Sequence, residues 1–186
     1  MAGTAVMFVA ACGTTSHDVV LDLQPVSVAP PGVGEGARVD FTLVDGRSTD
    51  VIGRRGTKGT GGAILAASIL TELEETLELA LADKGYRLNA PEASLDSRLK
   101  VTLVELSFAE KAAGLIRNEV VRVAISVDAK GRAGEYTNTY RRETEERQAA
   151  ASTRDGIDKS VNTALNAVLE RLLADEELDT YLSKRS

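Results

Sequence analysis

From residue 38 onward the apolar residues of this chain switch between two periods, and few folds accommodate the order of the switches. Val39, Phe41 and Leu43 alternate with Arg38, Asp40 and Thr42, the pattern of a strand with one buried and one wet face. Between Ala63 and Lys84 the spacing becomes three and four residues. Ile69, Leu70, Leu73, Leu77, Ala80 and Leu81 form one stripe, and Glu72, Glu74, Glu75 and Glu78 lie mostly opposite. This is an amphipathic helix, and Gly85 stands where such helices end. Alternation returns at Leu99, Val101 and Leu103, with a loop expected around Lys111 to Asn118, and again at Val121, Val123, Ile125 and Val127. A further strand spans Tyr136 to about Glu145, after a hairpin turn marked by Gly131 and Gly134. The helical period then closes the chain with Ile157, Val161, Ala164, Leu165, Val168, Leu169, Leu172 and Leu173. Ser152 and Asp155 have capping-box spacing at its start. Leu178, Tyr181 and Leu182 are spaced to fold back on the core.

The order strand, helix, three strands, helix predicts an α+β two-layer sandwich. A four-stranded sheet carries two helices on one face and leaves the other wet. The strand–helix–strand opening is a right-handed crossover if its strands are parallel, and the last three strands form an antiparallel meander. Aromatic residues make up 4% of the chain and Trp is absent, so the core is aliphatic. The mixed-sign run Arg141 to Arg147 reads as a solvated strand end or as protection of a sheet edge against pairing.

Upstream, the controlling stretch is Val9-Ala10-Ala11-Cys12. Ala5 to Ala11 is a short apolar run ending in small residues, the outline of a secretory signal and its cleavage site. It is far short of the ~20 apolar residues of a spanning helix. Cys12, the only cysteine, is placed as the lipid-attachment residue of a bacterial lipoprotein signal. The competing reading is a short buried element with a core cysteine. No Lys or Arg precedes Arg38, so the positive start of the signal is expected upstream of Met1. The division is therefore 1–11, a truncated signal peptide; 12–36, lipidated Cys12 and a flexible tether rich in Gly and Pro, in which Val19, Leu21 and Leu23 could form a brief edge strand; and 37–186, the sandwich domain. His17 falls in the tether and reads as a solvated linker residue.

The glycine-rich stretch 52–62 contains Arg54, Arg55 and Lys58. Its spacing is not that of a P-loop, because Lys58 precedes its glycine. It reads as a surface loop, with an anion- or partner-contacting role as the sharper alternative. Arg54, Arg55, Lys58, Lys100 and Arg122 are the candidate partner-contacting residues. The net charge of −6 argues against nucleic acid or an anionic bilayer as an electrostatic partner. No catalytic residue, metal ligand or cofactor is expected. The only histidine is His17, so no Ser-His or Cys-His pair can form. Glu143 and Glu145 share a strand face, which makes a glycan-acting enzyme conceivable, though mixed-sign surface charge explains the pair better.

Several of these segments together resemble the YajG family of uncharacterised bacterial lipoproteins. They are Val44-Asp45-Gly46-Arg47, Ile52-Gly53-Arg54-Arg55-Gly56, Lys84-Gly85-Tyr86, Leu99 to Leu103, and the block Ile157 to Leu182 with Asp179-Thr180-Tyr181-Leu182. The resemblance implies an outer-membrane lipoprotein facing the periplasm. It implies a diacylglycerol thioether on Cys12 and an acyl group on its amine. Gly13, rather than Asp, after the cysteine is similar to the outer-membrane sorting class. The expected role is a non-catalytic binding or scaffolding domain whose partner is an envelope protein or peptidoglycan. The alternative is an accessory factor for assembly of an outer-membrane complex.

Overall fold

The computed structural model describes residues 15–24, 32–91, 94–113, 116–132, 134–148 and 152–183. Cys12 and residues 25–31 lie outside the described residues. In chain order the elements are β1 (His17–Asp18), β2 (Arg38–Asp45), β3 (Val51–Arg54), β4 (Ala63–Leu65), α1 (Ile69–Asp83) and β5 (Arg87–Leu88). They continue with β6 (Ser97–Ala113), β7 (Ile116–Gly131), β8 (Gly134–Gln148), α2 (Arg154–Leu173) and α3 (Glu176–Ser183).

The alternating runs all enter one sheet, of order β5-β2-β6-β7-β8. β2 is parallel to β6, with Phe41 opposite Leu99, and β6, β7 and β8 form the antiparallel meander. The expected four strands gain a fifth, the two-residue β5, which pairs with the start of β2. The meander strands are also longer than their alternation suggested. β6 and β7 pair out to Ala113 opposite Ile116, through most of the stretch expected as a loop. At ~3.3 Å per residue they run for roughly 50 Å.

Strand length is the reason for a second correction. Helices cannot cover the whole of so long a face, and a second, three-stranded sheet of order β1-β4-β3 packs over the remainder of β6. Its closest approach is at Gly53, where an added Cβ would lie 2.2 Å from the Phe108 carbonyl oxygen. Part of the glycine-rich stretch is therefore a hairpin built on the buried residues Ile52 and Ile64, too short to show a period.

The helix stripes behave as read. All eight apolar residues of the α2 stripe are buried, and so are Ile69, Leu73, Leu77, Ala80 and Leu81 of α1. Full burial of a Leu-sized side chain is worth roughly 1.5–3 kcal/mol, so α2 is a principal source of cohesion. α1 packs on β2 and β5, and α2 on β7 and β8. α3 is a third helix, whose Leu178 and Leu182 close the core over β6 and β7. The cap of α2 is Thr153 rather than Ser152, its Oγ1 accepting from Gly156 N at 3.1 Å. The N–H of Ser152 is taken by Glu110 Oε1 instead.

The segment Thr15–Gln24, expected as flexible tether, is laid along α2. β1 pairs with β4, Val19 is buried, and His17 Nε2 lies 2.6 Å from Asp158 Oδ1. His17 is 7% exposed, not a solvated linker residue. Asn162 and Asn166, one helical turn apart, hold the extended backbone. Asn162 Oδ1 accepts from Asp22 N at 2.8 Å and its Nδ2 donates to the Val20 carbonyl at 2.8 Å. Asn166 Oδ1 accepts from Gln24 N and its Nδ2 donates to the Asp22 carbonyl. The backbone groups of a lone extended segment are thereby satisfied without a neighbouring strand.

Candidate functional site

The face of the large sheet away from the helices is polar. Register places Thr42, Lys100 and Asp128 in one row, Asp40, Arg98 and Lys130 in another, and Ser107, Arg122 and Glu143 in a third. Lys100 and Arg122 therefore share one face, as their alternation predicted. Their states differ. Arg122 is bound by the directly opposite Glu143, Nε to Oε2 at 2.8 Å. Lys100 is exposed and meets no carboxylate among the described residues. The face mixes both signs of charge, so it suits a partner with a matching pattern rather than a uniformly charged polymer.

Glu143 and Glu145 are exposed on the same face. Hydrogen bonding from Arg122 holds the Glu143 carboxyl below its usual range, whereas a glycosidase acid needs a raised one. Glu145 accepts from Asn118 Nδ2. At the sheet edge, Arg171 Nη1 donates to the Arg141 carbonyl at 3.0 Å, so part of the β8 edge is occupied by α2.

The remaining candidates, Arg54, Arg55 and Lys58, belong to the β3–β4 hairpin on the opposite layer. The structure does not bring them together with Lys100 and Arg122. Arg54 and Lys58 are exposed. Arg55 Nε and Nη2 are buried and have no acceptor among the described residues. The hairpin turn is pinned by Glu110, whose Oε2 accepts from Gly56 N at 2.7 Å while Arg117 lies 3.7 Å away. Glu110 faces Glu119 across β6 and β7, and both are buried. Ser160 Oγ is 3.4 Å from Glu119 Oε2.

Two polar clusters, one buried and one half-buried, hold α3, and neither was assigned from sequence. Lys84 Nζ donates to the Leu173 carbonyl at 2.8 Å and to Asp179 Oδ2 at 2.7 Å, and Tyr86 OH donates to Asp179 Oδ1 at 2.9 Å. Burial, with Asp179 beside it, pushes the Tyr86 phenol far above its ordinary value. Asp175 caps α3, its Oδ1 accepting from Glu177 N and Leu178 N. Its Oδ2 accepts from Tyr136 OH at 2.6 Å and Tyr140 OH at 2.5 Å. These groups stabilise the fold by satisfying one another. Among the described residues no group of three or more His, Cys, Asp or Glu side chains is placed to hold a metal ion.

Fold and surface define an α+β domain that presents an open, mixed-charge sheet face. No helix among the described residues is long and apolar enough to cross a membrane. The family model of uncharacterized lipoproteins matches residues 25–183, and the chain belongs to that family, the YajG type. Among solved structures, a DUF330-family protein from Xanthomonas campestris is similar at 15% identity, over 86% of this chain and 92% of that one, with a TM-score of 0.50. A second, uncharacterized protein is 14% identical over 87% and 99%, also at 0.50. A hypothetical protein from Chlamydia trachomatis is 10% identical over 79% and 98%, at 0.44. At these identities the likeness is one of fold. No curated protein is significantly similar in sequence.

Proposed function

We propose that this chain is a cell-envelope lipoprotein, anchored through Cys12 in the outer membrane and facing the periplasm, whose domain is a non-catalytic binding or scaffolding module. Membership of a lipoprotein family supports the anchor, because its sequence places a lone cysteine after small apolar residues. The observation that carries the binding role is the uncovered sheet face around Lys100. It is a broad polar platform, and its central lysine has no carboxylate partner among the described residues. The chemistry it suits is a partner of interleaved charge, an envelope protein or the peptide stems of peptidoglycan.

The test is cross-linking in intact cells from Thr42, Lys100 and Thr139, with the captured molecule identified by mass spectrometry. Lys100→Glu combined with Arg122→Ala is expected to abolish capture without lowering stability. Unchanged capture would sink the proposal. Pelleting with isolated sacculi identifies peptidoglycan, and stable co-purification with a barrel protein identifies the assembly-factor alternative. Labelling with palmitate, lost in Cys12→Ser, reads the anchor independently.

A further inference from the structure

The chain approaches the domain from the end where its exposed basic loop lies. β1 runs parallel to β4 with His17 opposite Ile64, so Ser16 and Thr15 extend toward the turn that joins β3 to β4. Arg54 starts that turn, opposite Ala63. Other contacts gather neighbouring elements at the same end. Arg154 Nη2, at the start of α2, is 3.4 Å from Thr15 Oγ1. Glu110 binds Gly56 N of the turn and Ser152 N before α2. β3 also runs along β6 toward its turn into β7, since Gly53 lies on Phe108 and Gly56 on Glu110. The Gly131–Gly134 hairpin lies at the far end of the meander.

Thr15 lies three positions after Cys12, a reach of at most about 11 Å even when fully extended. Thr15–Gln24 cannot act as a spacer while His17, Asn162 and Asn166 hold it down. We propose that the β3–β4 loop, with Arg54 and Lys58, and the adjoining ends of β6 and β7, with Lys111 and Ile116, form a membrane-facing end that docks on anionic phospholipid headgroups. The proposal rests on lipidation of Cys12.

The net charge of −6, which taken over the whole chain argues against an anionic bilayer, is not what this end presents, because screening confines the interaction to charges within ~8–10 Å of the surface. At this end Arg54, Lys58, Lys111 and Arg154 are exposed, and basic residues close to an anionic leaflet are attracted to it. The carboxylates of Glu110 and Glu119 are buried, which leaves Asp155, Glu145 and Glu146 as exposed acids nearby, Glu145 held by Asn118. Ile116, 44% exposed, offers an apolar side chain to the headgroup–acyl boundary. This arrangement turns the sheet face sideways to the bilayer, open to the aqueous side.

The single cysteine allows a direct test. The full chain is coupled through Cys12 to a maleimide-bearing lipid in vesicles, which supplies the anchor whether or not cells do. Amide exchange is compared on phosphatidylcholine vesicles with and without phosphatidylglycerol. Slowed exchange at Gly56–Gly61 only with phosphatidylglycerol is expected, with strands around Lys100 unchanged. Arg54→Gln with Lys58→Gln is expected to remove the slowing while leaving exchange in α2 as it was. Equal slowing on both vesicles, slowing on the sheet face, or none at either place overturns the proposal. Loss of palmitate labelling in cells would instead count against the anchor reading alone.

Discussion

Lys84 and Asp179 stand 95 positions apart in the chain and form an ion pair inside the core, Nζ to Oδ2 at 2.7 Å. Lys84 is 2% exposed, and the pair joins the end of α1 to α3. A buried charge is tolerated only when paired and hydrogen-bonded, so the two residues depend on each other. Lys84→Met strands the Asp179 carboxylate and is expected to cost about 3–5 kcal/mol. Lys84→Met with Asp179→Leu recovers most of that loss, because an apolar replacement of a whole buried pair is often neutral. Tyr86 OH then lacks its acceptor, which leaves a residue of about 1 kcal/mol. Urea midpoints of the three proteins decide the matter; a single variant as stable as wild type would refute the dependence.

The Asn162 and Asn166 contacts make the docked segment separable from the rest of the fold. Asn162→Ala with Asn166→Ala removes four hydrogen bonds to residues 20–24. At a net ~0.5–1.5 kcal/mol for each bond, and with the segment free to rehydrate, the global stability falls by less than their sum. Local exchange reports the effect more sharply. Amides of Asp22 and Gln24 are expected to exchange freely, while Leu165 and Leu169 keep their protection. Equal loosening of both groups would mean that the segment is part of the cooperative core.

Asp175 gives the fold an acid-sensitive joint. Burial works to raise its carboxyl, but hydrogen bonds from Tyr136, Tyr140, Leu178 and Asn138 outweigh burial and hold it below its ordinary value of 3.8. Its contribution is therefore complete above 3.8 and is lost as the pH falls through the lower folded value. Tyr140 has the opposite sense. Burial, then the bond to Asp175, raises its phenol above 10.0, so its contribution is complete below that pH and is lost as the pH climbs beyond it. Asp175→Asn is expected to lower stability by about 1–2 kcal/mol at neutral pH, the difference between a charged and a neutral acceptor. That gap should narrow below pH ~4 as the wild-type carboxyl is protonated. A gap unchanged across pH in urea titrations would remove Asp175 from the account.

The helix stripes and the sheet face were legible because burial over many residues leaves a period, as in Ile157 to Leu173 or Lys100 beside Thr42. The clusters were not, because pairing leaves none. Lys84-Gly85-Tyr86 and Asp179-Thr180-Tyr181-Leu182 both carry the family resemblance, yet nothing local says that one segment meets the other. The docked segment was missed for a related reason. Its order comes from α2, and the hints were slight: the alternation of Val19, Leu21 and Leu23, too short to outweigh the Gly and Pro around it, and two asparagines, poor helix formers one turn apart. β3 and β4 were hidden by their glycines. Gly53 has no side chain because Phe108 fills the space, a packing fact that composition presents as flexibility.

Val104 is where simple alternation fails, and it makes the last prediction. Leu103 lies opposite Ile125 and Glu105 opposite Ala124, so Val104 is the extra residue of a β-bulge, 44% exposed. Core positions on β6 change parity across it, from Leu99, Val101 and Leu103 to Leu106 and Phe108. Deleting Val104 restores strict alternation and keeps both sets on the core face. Deleting Val101 instead moves its downstream neighbours to the wrong face. The Val104 deletion is therefore expected to fold with its helix layer intact, and the Val101 deletion is expected not to fold. A bulge also bends its strand, and this one lies where β2 leaves β6, with Gly46 N donating to the Leu103 carbonyl. Straightening β6 carries Phe108 away from Gly53, so a cost of about 1–2 kcal/mol should appear as faster exchange in β3 and β4. Loss of protection in α2 first would show that the bulge serves the helix layer rather than the small sheet.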